Sequence, residues 1–353
     1  VLTSPRIIIA TGATPAVPPI EGLADLDYLT NENVFELDQQ PSSLAVLGGG
    51  AIGCELAQAF RRLGSAVTLI EGLDRLLPEE EPEASEVIAD AFAAEGIDVR
   101  VGRNVTRIEP LERKGAARLH LEGGEAIVAD RVLVAVGRKA ATDGLGLEAA
   151  GVATERGFVT VDRHLATTAP GIWAVGDVTG GLQFTHAADE MGRIAVANAL
   201  SPRRPRRNFD PSAIPWVTFT SPEVARVGMT EAEAAAHGGR VAYLPMSAVD
   251  RAVAAGETRG FVKLIAGSRR FLRTTGGGRI LGATVVASRG GEMIHEPALA
   301  MATNMFTGRL AQAVHAYPTW SIALRQAAAQ FSMEIDGRTA RPARNSNRRF
   351  GRS

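Results

Sequence analysis

Leu44-Ala45-Val46-Leu47-Gly48-Gly49-Gly50-Ala51-Ile52-Gly53 is the stretch on which the fold turns. Four apolar residues read as a buried strand, and the glycines fit G-x-G-x-x-G ahead of a helix spaced from Ala51 to Leu63. Glycine there permits a tight turn, close backbone approach to a pyrophosphate and close helix packing. The start of the helix then presents free N–H groups and its positive dipole end to the phosphates. Gly48, Gly49, Gly50, Ala51, Ile52 and Gly53 are therefore the candidate nucleotide cradle. Val67-Thr68-Leu69-Ile70-Glu71 reads as the next parallel strand of a βαβ unit. Glu71 falls about twenty residues on, where a carboxylate hydrogen-bonds the adenosine ribose 2′-hydroxyl. A 2′-phosphate beside it would meet like-charge repulsion on the order of a few kcal/mol. NADH is thus favoured over NADPH, and Arg75 is the nearby cation able to reverse that by swinging toward a phosphate.

Outward from this unit, 353 residues imply at least two cores. Hydrophobic residues at 45% and charged residues at 22% describe a globular chain, and no apolar run reaches the roughly 18 to 20 residues of a membrane span. Lys and Arg (38) nearly cancel Asp and Glu (39), leaving a net charge of -1 that offers no field for nucleic acid or anionic lipid. The single cysteine, Cys54, excludes a disulfide framework, a cysteine zinc cluster and a dithiol pair within the chain, and suits a reducing, cytoplasmic compartment. Cys54 itself reads as a small buried hydrophobe, and no metal site is expected.

Strand, helix and strand recur through residues 85 to 101, and Val105 to Val128 reads as an antiparallel insertion before the buried strand Arg131 to Val136. Gly171 to Val175 leads into Gly176-Asp177 and a helical run from His186 to Leu200. Arg203 to Arg207 reads as a linker, and from Trp216 alternating strands with helices at Thr230 to Ala236 and Met293 to Thr303 indicate an α+β domain. The tail from 336 to 353, rich in arginine, is expected to be disordered. The amino terminus lacks methionine and a secretory signal, and Ile7-Ile8-Ile9-Ala10 enters a turn as though a sheet built from earlier residues were missing, so a truncated chain is expected.

Ala10-Thr11-Gly12, Ala135-Val136-Gly137-Arg138 and Thr167 through Asp177, with Gly144-Leu145-Gly146-Leu147-Glu148 between them, resemble in order and spacing the pyridine nucleotide-disulfide oxidoreductases, flavoproteins that include mercuric reductase and dihydrolipoamide dehydrogenase. The resemblance covers about residues 5 to 333 and departs at Ala140-Ala141, where the family commonly has Pro-Asn. It implies an α/β chain with a Rossmann-type NAD-binding domain, a partial FAD-binding domain and an α+β dimerisation domain. The expected division is an FAD-domain remnant at 1 to 35, an NAD(P) domain at 36 to 139, a central FAD segment at 140 to 210 and a dimerisation domain at 211 to 335. FAD contacts are implied for Thr11, Gly12, Ala13, Gly137, Arg138, Gly176 and Asp177, and for Gln183, Phe184, Thr185 and His186 along the isoalloxazine. Val105 is expected to join the cofactor contacts, and Glu55 to pair with a lysine beside the flavin and govern nicotinamide stacking. The family's amino-terminal FAD fingerprint and redox cysteine pair would precede Val1.

His315-Ala316-Tyr317-Pro318-Thr319-Trp320-Ser321-Ile322 resembles the family segment that enters the partner subunit's active site, so a homodimer is implied. Tyr317 and Ile322 stand where dihydrolipoamide dehydrogenases carry a histidine and a glutamate, and His315 is expected at a surface or interface. Tyr317, with Val249-Asp250-Arg251-Ala252 and the segment Thr258 to Leu264, is closer to the mercuric reductase branch, although no terminal cysteine pair follows Cys54. The expectation is an FAD-dependent NAD(P)H oxidoreductase acting on a small-molecule acceptor. Its rivals are a dihydrolipoamide dehydrogenase or soluble transhydrogenase, and an inactive remnant that binds nucleotide or dimerises.

Overall fold

The computed structural model describes residues 3–201, 205–268 and 275–345. The chain divides into two compact units, one built from Val1–Val17 with Val136–Ile214 and the other from Pro18–Ala135 with Pro215–Ser353.

In the smaller unit, strand Ile7–Ile9 pairs in parallel with Ile172–Ala174, and strand Ala13–Pro15 pairs antiparallel with Arg138–Ala140. Ile9, Ala140, Val152, Val159, Ala174 and Val178 form its core, and helix Thr185–Leu200 packs a second cluster through Met191, Ile194 and Ala195. Of the arginine-rich linker, 202–204 lie outside the described residues. Arg207 is fastened by Asn198, whose side chain accepts from the Arg207 amide at 2.7 Å and donates to its carbonyl at 3.0 Å.

The larger unit carries the wound sheet, a four-stranded parallel sheet in the order Asp98–Val101, Ala66–Glu71, Ser43–Leu47, Arg131–Val134. The apolar run Leu44 to Leu47 is fully buried because both faces of this strand are covered, which is why it shows no alternation. Helix Ala51–Leu63 ends at Gly64 in the left-handed conformation, and helix Pro82–Glu95 opens with proline in its first turn and closes at Gly96, also left-handed. The insertion is a three-stranded antiparallel sheet of Val105–Pro110, Ala117–Leu121 and Ala126–Ala129. A six-stranded antiparallel sheet follows in the order Pro215–Thr218, Glu223–Gly228, Arg279–Ala287, Phe261–Gly267, Arg240–Pro245, Arg341–Pro342.

Three expectations change. Residues 18–35 pack on the wound sheet, with Leu29 exchanging backbone hydrogen bonds with Val132 and Val134 and with Leu23 and Leu26 in the core beside Leu47 and Ile70. The unit boundary therefore falls after Val17 and not after residue 35, because these leucines supply apolar surface that the insertion sheet covers. At the other end, residues 336–345 are not a disordered tail. Arg341–Pro342 extends the six-stranded sheet, since Arg341 reaches a buried carboxylate, while 346–353 lie outside the described residues. The helix expected over Met293 to Thr303 is two, Gly290–Met293 and His295–Ala302.

Candidate functional site

The strand order puts Ser43–Leu47 between Ala66–Glu71 on one side and Arg131–Val134 on the other, so the chain reverses its winding direction there. The carboxyl ends of these strands define the crevice where doubly wound sheets take their ligands. Gly48 to Gly53 line it. Gly48 has φ of 107°, a conformation that favours glycine. A β-carbon at Gly53 would run into the Gly48 carbonyl, so strand end and helix start touch backbone to backbone. A β-carbon at Gly50 would meet nothing within 4 Å. That open face is the cradle a phosphate would fill, at the head of Ala51–Leu63.

Glu71 lies against the glycine turn at the end of the neighbouring strand. Its Oε2 accepts from the Gly49 amide at 2.6 Å and its Oε1 from the Leu73 amide at 2.8 Å. The carboxylate is thereby fixed at the glycine turn, with lone pairs left for a ribose hydroxyl. Arg75, the cation that could have reversed the cofactor preference, donates instead to the Pro78 carbonyl. In a calorimetric titration of this chain, NADH should bind more tightly than NADPH, and Glu71→Ala should erase that preference. An unchanged ratio in the variant would show that Glu71 does not face the 2′ position.

One turn into the same helix, the Glu55 Oε1 accepts from the Phe219 amide at 2.7 Å. Burial raises the Glu55 carboxyl above its usual range, against the lowering effect of that amide. Cys54 beside it is fully buried, and its Sγ lies 3.2 Å from the Gly49 carbonyl. Burial, then Glu71 and Glu55, push its thiol far above the ordinary range, so it supplies no thiolate. Val105 stands at the head of the insertion sheet with its side chain packed against the core of Leu47 and Ile70.

A second convergence lies within the smaller unit. Strands Ile7–Ile9 and Ile172–Ala174 run in parallel, so their carboxyl ends deliver Thr11-Gly12 and Gly176-Asp177 to the same end of the pair. Arg138 Nη2 donates to the Ala13 carbonyl at 2.6 Å and lies 3.4 Å from the Asp177 carboxylate. Arg138 Nε and Thr14 Oγ1 are buried without a hydrogen-bond partner. Gly12 is left-handed, and a β-carbon there would meet nothing within 4 Å. This open turn, an arginine, a carboxylate and unmet polar atoms suit a phosphate and polyhydroxyl chain. Gln183, Phe184, Thr185 and His186 follow at the start of helix Thr185–Leu200, where Phe184 and His186 stack with ring centroids 5.7 Å apart.

In the larger unit, Tyr317 is 68% exposed and its hydroxyl donates to Asp250 Oδ2 at 2.7 Å. His315, expected at a surface or interface, has a side chain only 7% exposed, and its Nε2 lies 2.9 Å from Glu296 Oε1. Lys263, in the Thr258 to Leu264 segment but given no role from the sequence, is fully buried and within 3.1 Å of Glu81, Glu83 and Glu231. Nothing in that segment signals the carboxylates around it, since locally it is a lysine flanked by Val262 and Leu264 in an apolar strand. Among the described residues no cluster of histidine, cysteine or carboxylates could hold a metal ion, and no helix is long and apolar enough to cross a membrane.

Residues 1–192 match the pyridine nucleotide-disulphide oxidoreductase family and residues 214–328 match that family's dimerisation domain. A mercuric reductase of Streptomyces lividans is 41% identical over 93% of this chain and 68% of its own length. A mercuric reductase of Bacillus cereus is 38% identical over 95% of this chain and 52% of its own, and a dihydrolipoyl dehydrogenase of Chlorobaculum tepidum is 39% identical over 93% and 69%. Among solved structures, LpdA from Mycobacterium tuberculosis aligns with a TM-score of 0.83 at 30% identity, over 93% of this chain and 70% of its own. The HOCl-induced flavoprotein disulfide reductase of Escherichia coli aligns at 0.81 and 34%, over 92% and 73%. The chain belongs to the pyridine nucleotide-disulphide oxidoreductase family. It spans 52% to 69% of the length of these curated relatives.

Proposed function

We propose that this chain is the nicotinamide-binding, dimer-forming portion of an FAD-dependent NAD(P)H oxidoreductase of the mercuric reductase-like branch, acting in the cytoplasm on a small-molecule electron acceptor. The observation that carries the reading is the crevice at Gly48 to Gly53, open at Gly50, floored by the backbone contact of Gly53 and closed by Glu71. Bound FAD would supply the electron relay, taking hydride from the nicotinamide and passing electrons toward a disulfide or metal acceptor. The chain's own residues bind and orient. The amides at the head of helix Ala51–Leu63 hold the dinucleotide phosphates, Glu71 holds the ribose, and Arg138 with Asp177 holds the phosphate and hydroxyl chain of the flavin cofactor. Glu55, kept in place by the Phe219 amide, stands beside the nicotinamide. Two copies joined through residues 214–328 bring Tyr317 to the partner's acceptor site.

The identities of Tyr317 and Ile322 favour the mercuric reductase-like branch over dihydrolipoamide dehydrogenase, since neither side chain is a base near neutral pH. The hydrogen bond from Tyr317 to Asp250, with the charge of that carboxylate, holds the phenol above its ordinary range and so strengthens the point. In full-length protein, kcat/KM for dihydrolipoamide should be about 100- to 10,000-fold below that for a thiol-complexed mercuric ion, the range expected for one missing general base. Comparable efficiencies on one preparation would overturn the branch assignment. Absence of NADH oxidation with every acceptor, in protein that holds flavin, would favour the inactive remnant.

A further inference from the structure

The loop between helices Thr307–Gln312 and Ile322–Ala329 is pinned on both sides of its exposed tyrosine. On one side His315 is held against Glu296, and its Nδ1 lies 3.0 Å from the Ala313 carbonyl. On the other, Thr319 Oγ1 donates to the Ala316 carbonyl at 2.7 Å. Tyr317 projects between these anchors, and its hydroxyl reaches across to Asp250, which opens the separate helix Asp250–Ala255. A phenol has one proton and two lone pairs. With the proton committed to Asp250, the group that faces outward is the oxygen lone pair.

We infer that Asp250 is a positioning residue for Tyr317: it fixes the phenol ring and turns it into a hydrogen-bond acceptor toward the electron-accepting substrate. This rests on the assignment of Tyr317 to the acceptor site. The substrate class it suits presents a positive centre to Tyr317, such as a thiol-complexed metal cation, and not a bare anion. An anionic acceptor would face an oxygen lone pair backed by a carboxylate.

Two measurements separate the inference from the assignment beneath it. The first is ultraviolet titration of tyrosine ionisation in the chain itself, with Tyr317→Phe identifying the Tyr317 phase among the three tyrosines. Asp250→Asn keeps the shape, removes the charge and should move that phase to lower pH. A phase that stays put refutes the pairing. The second uses flavin-loaded full-length enzyme and a thiol-complexed mercuric ion as acceptor. Asp250→Asn and Tyr317→Phe should each lower acceptor kcat/KM by about tenfold, the size of one charge-assisted hydrogen bond, and the double variant no further, with KM for NADH unchanged. If Tyr317→Phe has no effect, the assignment of Tyr317 falls. If it does and Asp250→Asn does not, Asp250 has no positioning role.

Discussion

Lys263→Met should cost the folded chain about 3–5 kcal/mol, the range for removing one partner of a buried ion pair. Lys263 sits in the middle of the six-stranded sheet, fully buried, with its Nζ 3.0 Å from Glu81, 2.7 Å from Glu83 and 3.1 Å from Glu231. Burial pulls its ammonium down, yet the three carboxylates outweigh burial and hold it above the usual lysine range. Glu81 responds the other way, its carboxyl raised because burial exceeds the attraction of Lys263. Methionine fills the lysine's space without its charge. The carboxylates would then be left facing one another at the junction between the start of helix Pro82–Glu95 and the second sheet, with Arg341 alone on Glu231. Chemical denaturation of the full chain reads the loss, a large fraction of the roughly 5–15 kcal/mol typical of a domain. A loss under about 1 kcal/mol would mean that these carboxylates escape by taking protons or reaching water.

Gly50→Ala and Gly53→Ala should part company. At Gly50 the backbone is extended, φ -75° and ψ -172°, and a methyl would meet no protein atom within 4 Å. Unfolding should be unchanged while NADH affinity falls on the order of 10- to 100-fold, because the methyl occupies the space a pyrophosphate needs. At Gly53 the methyl collides with the Gly48 carbonyl, so helix and strand end must separate and both stability and NADH binding suffer. Calorimetry with NADH and denaturation of both variants checks the pair. Wild-type affinity in Gly50→Ala would move the dinucleotide away from this turn.

The wound unit was legible because its signals are local. Leu44 to Leu47, the glycines and Glu71 lie within one βαβ segment, and each residue type is demanded by a backbone distance or a charge. The second convergence was legible only through resemblance, since Ala13, Arg138 and Asp177 are brought together by pairings between strands far apart in sequence. Lys263, Glu81 and Glu231 were not legible at all. Strand periodicity marks Lys263 as one charged residue in an apolar run, and nothing local says that carboxylates about 180 and about 30 positions away will surround it. The contact of His315 with Glu296 escapes the sequence for the same reason, because Glu296 comes to this loop from helix His295–Ala302.

The docking of Arg341–Pro342 bears on how this chain behaves in company. Strand Arg240–Pro245 would otherwise end the six-stranded sheet with a row of unpaired amides and carbonyls, a template for recruiting another copy edge to edge. The added segment is two residues long, carries a proline with no amide to offer and is tethered by Arg341 to Glu231. It therefore covers the Arg240-Val241 end of that edge and leaves fewer backbone groups open to pairing with another sheet.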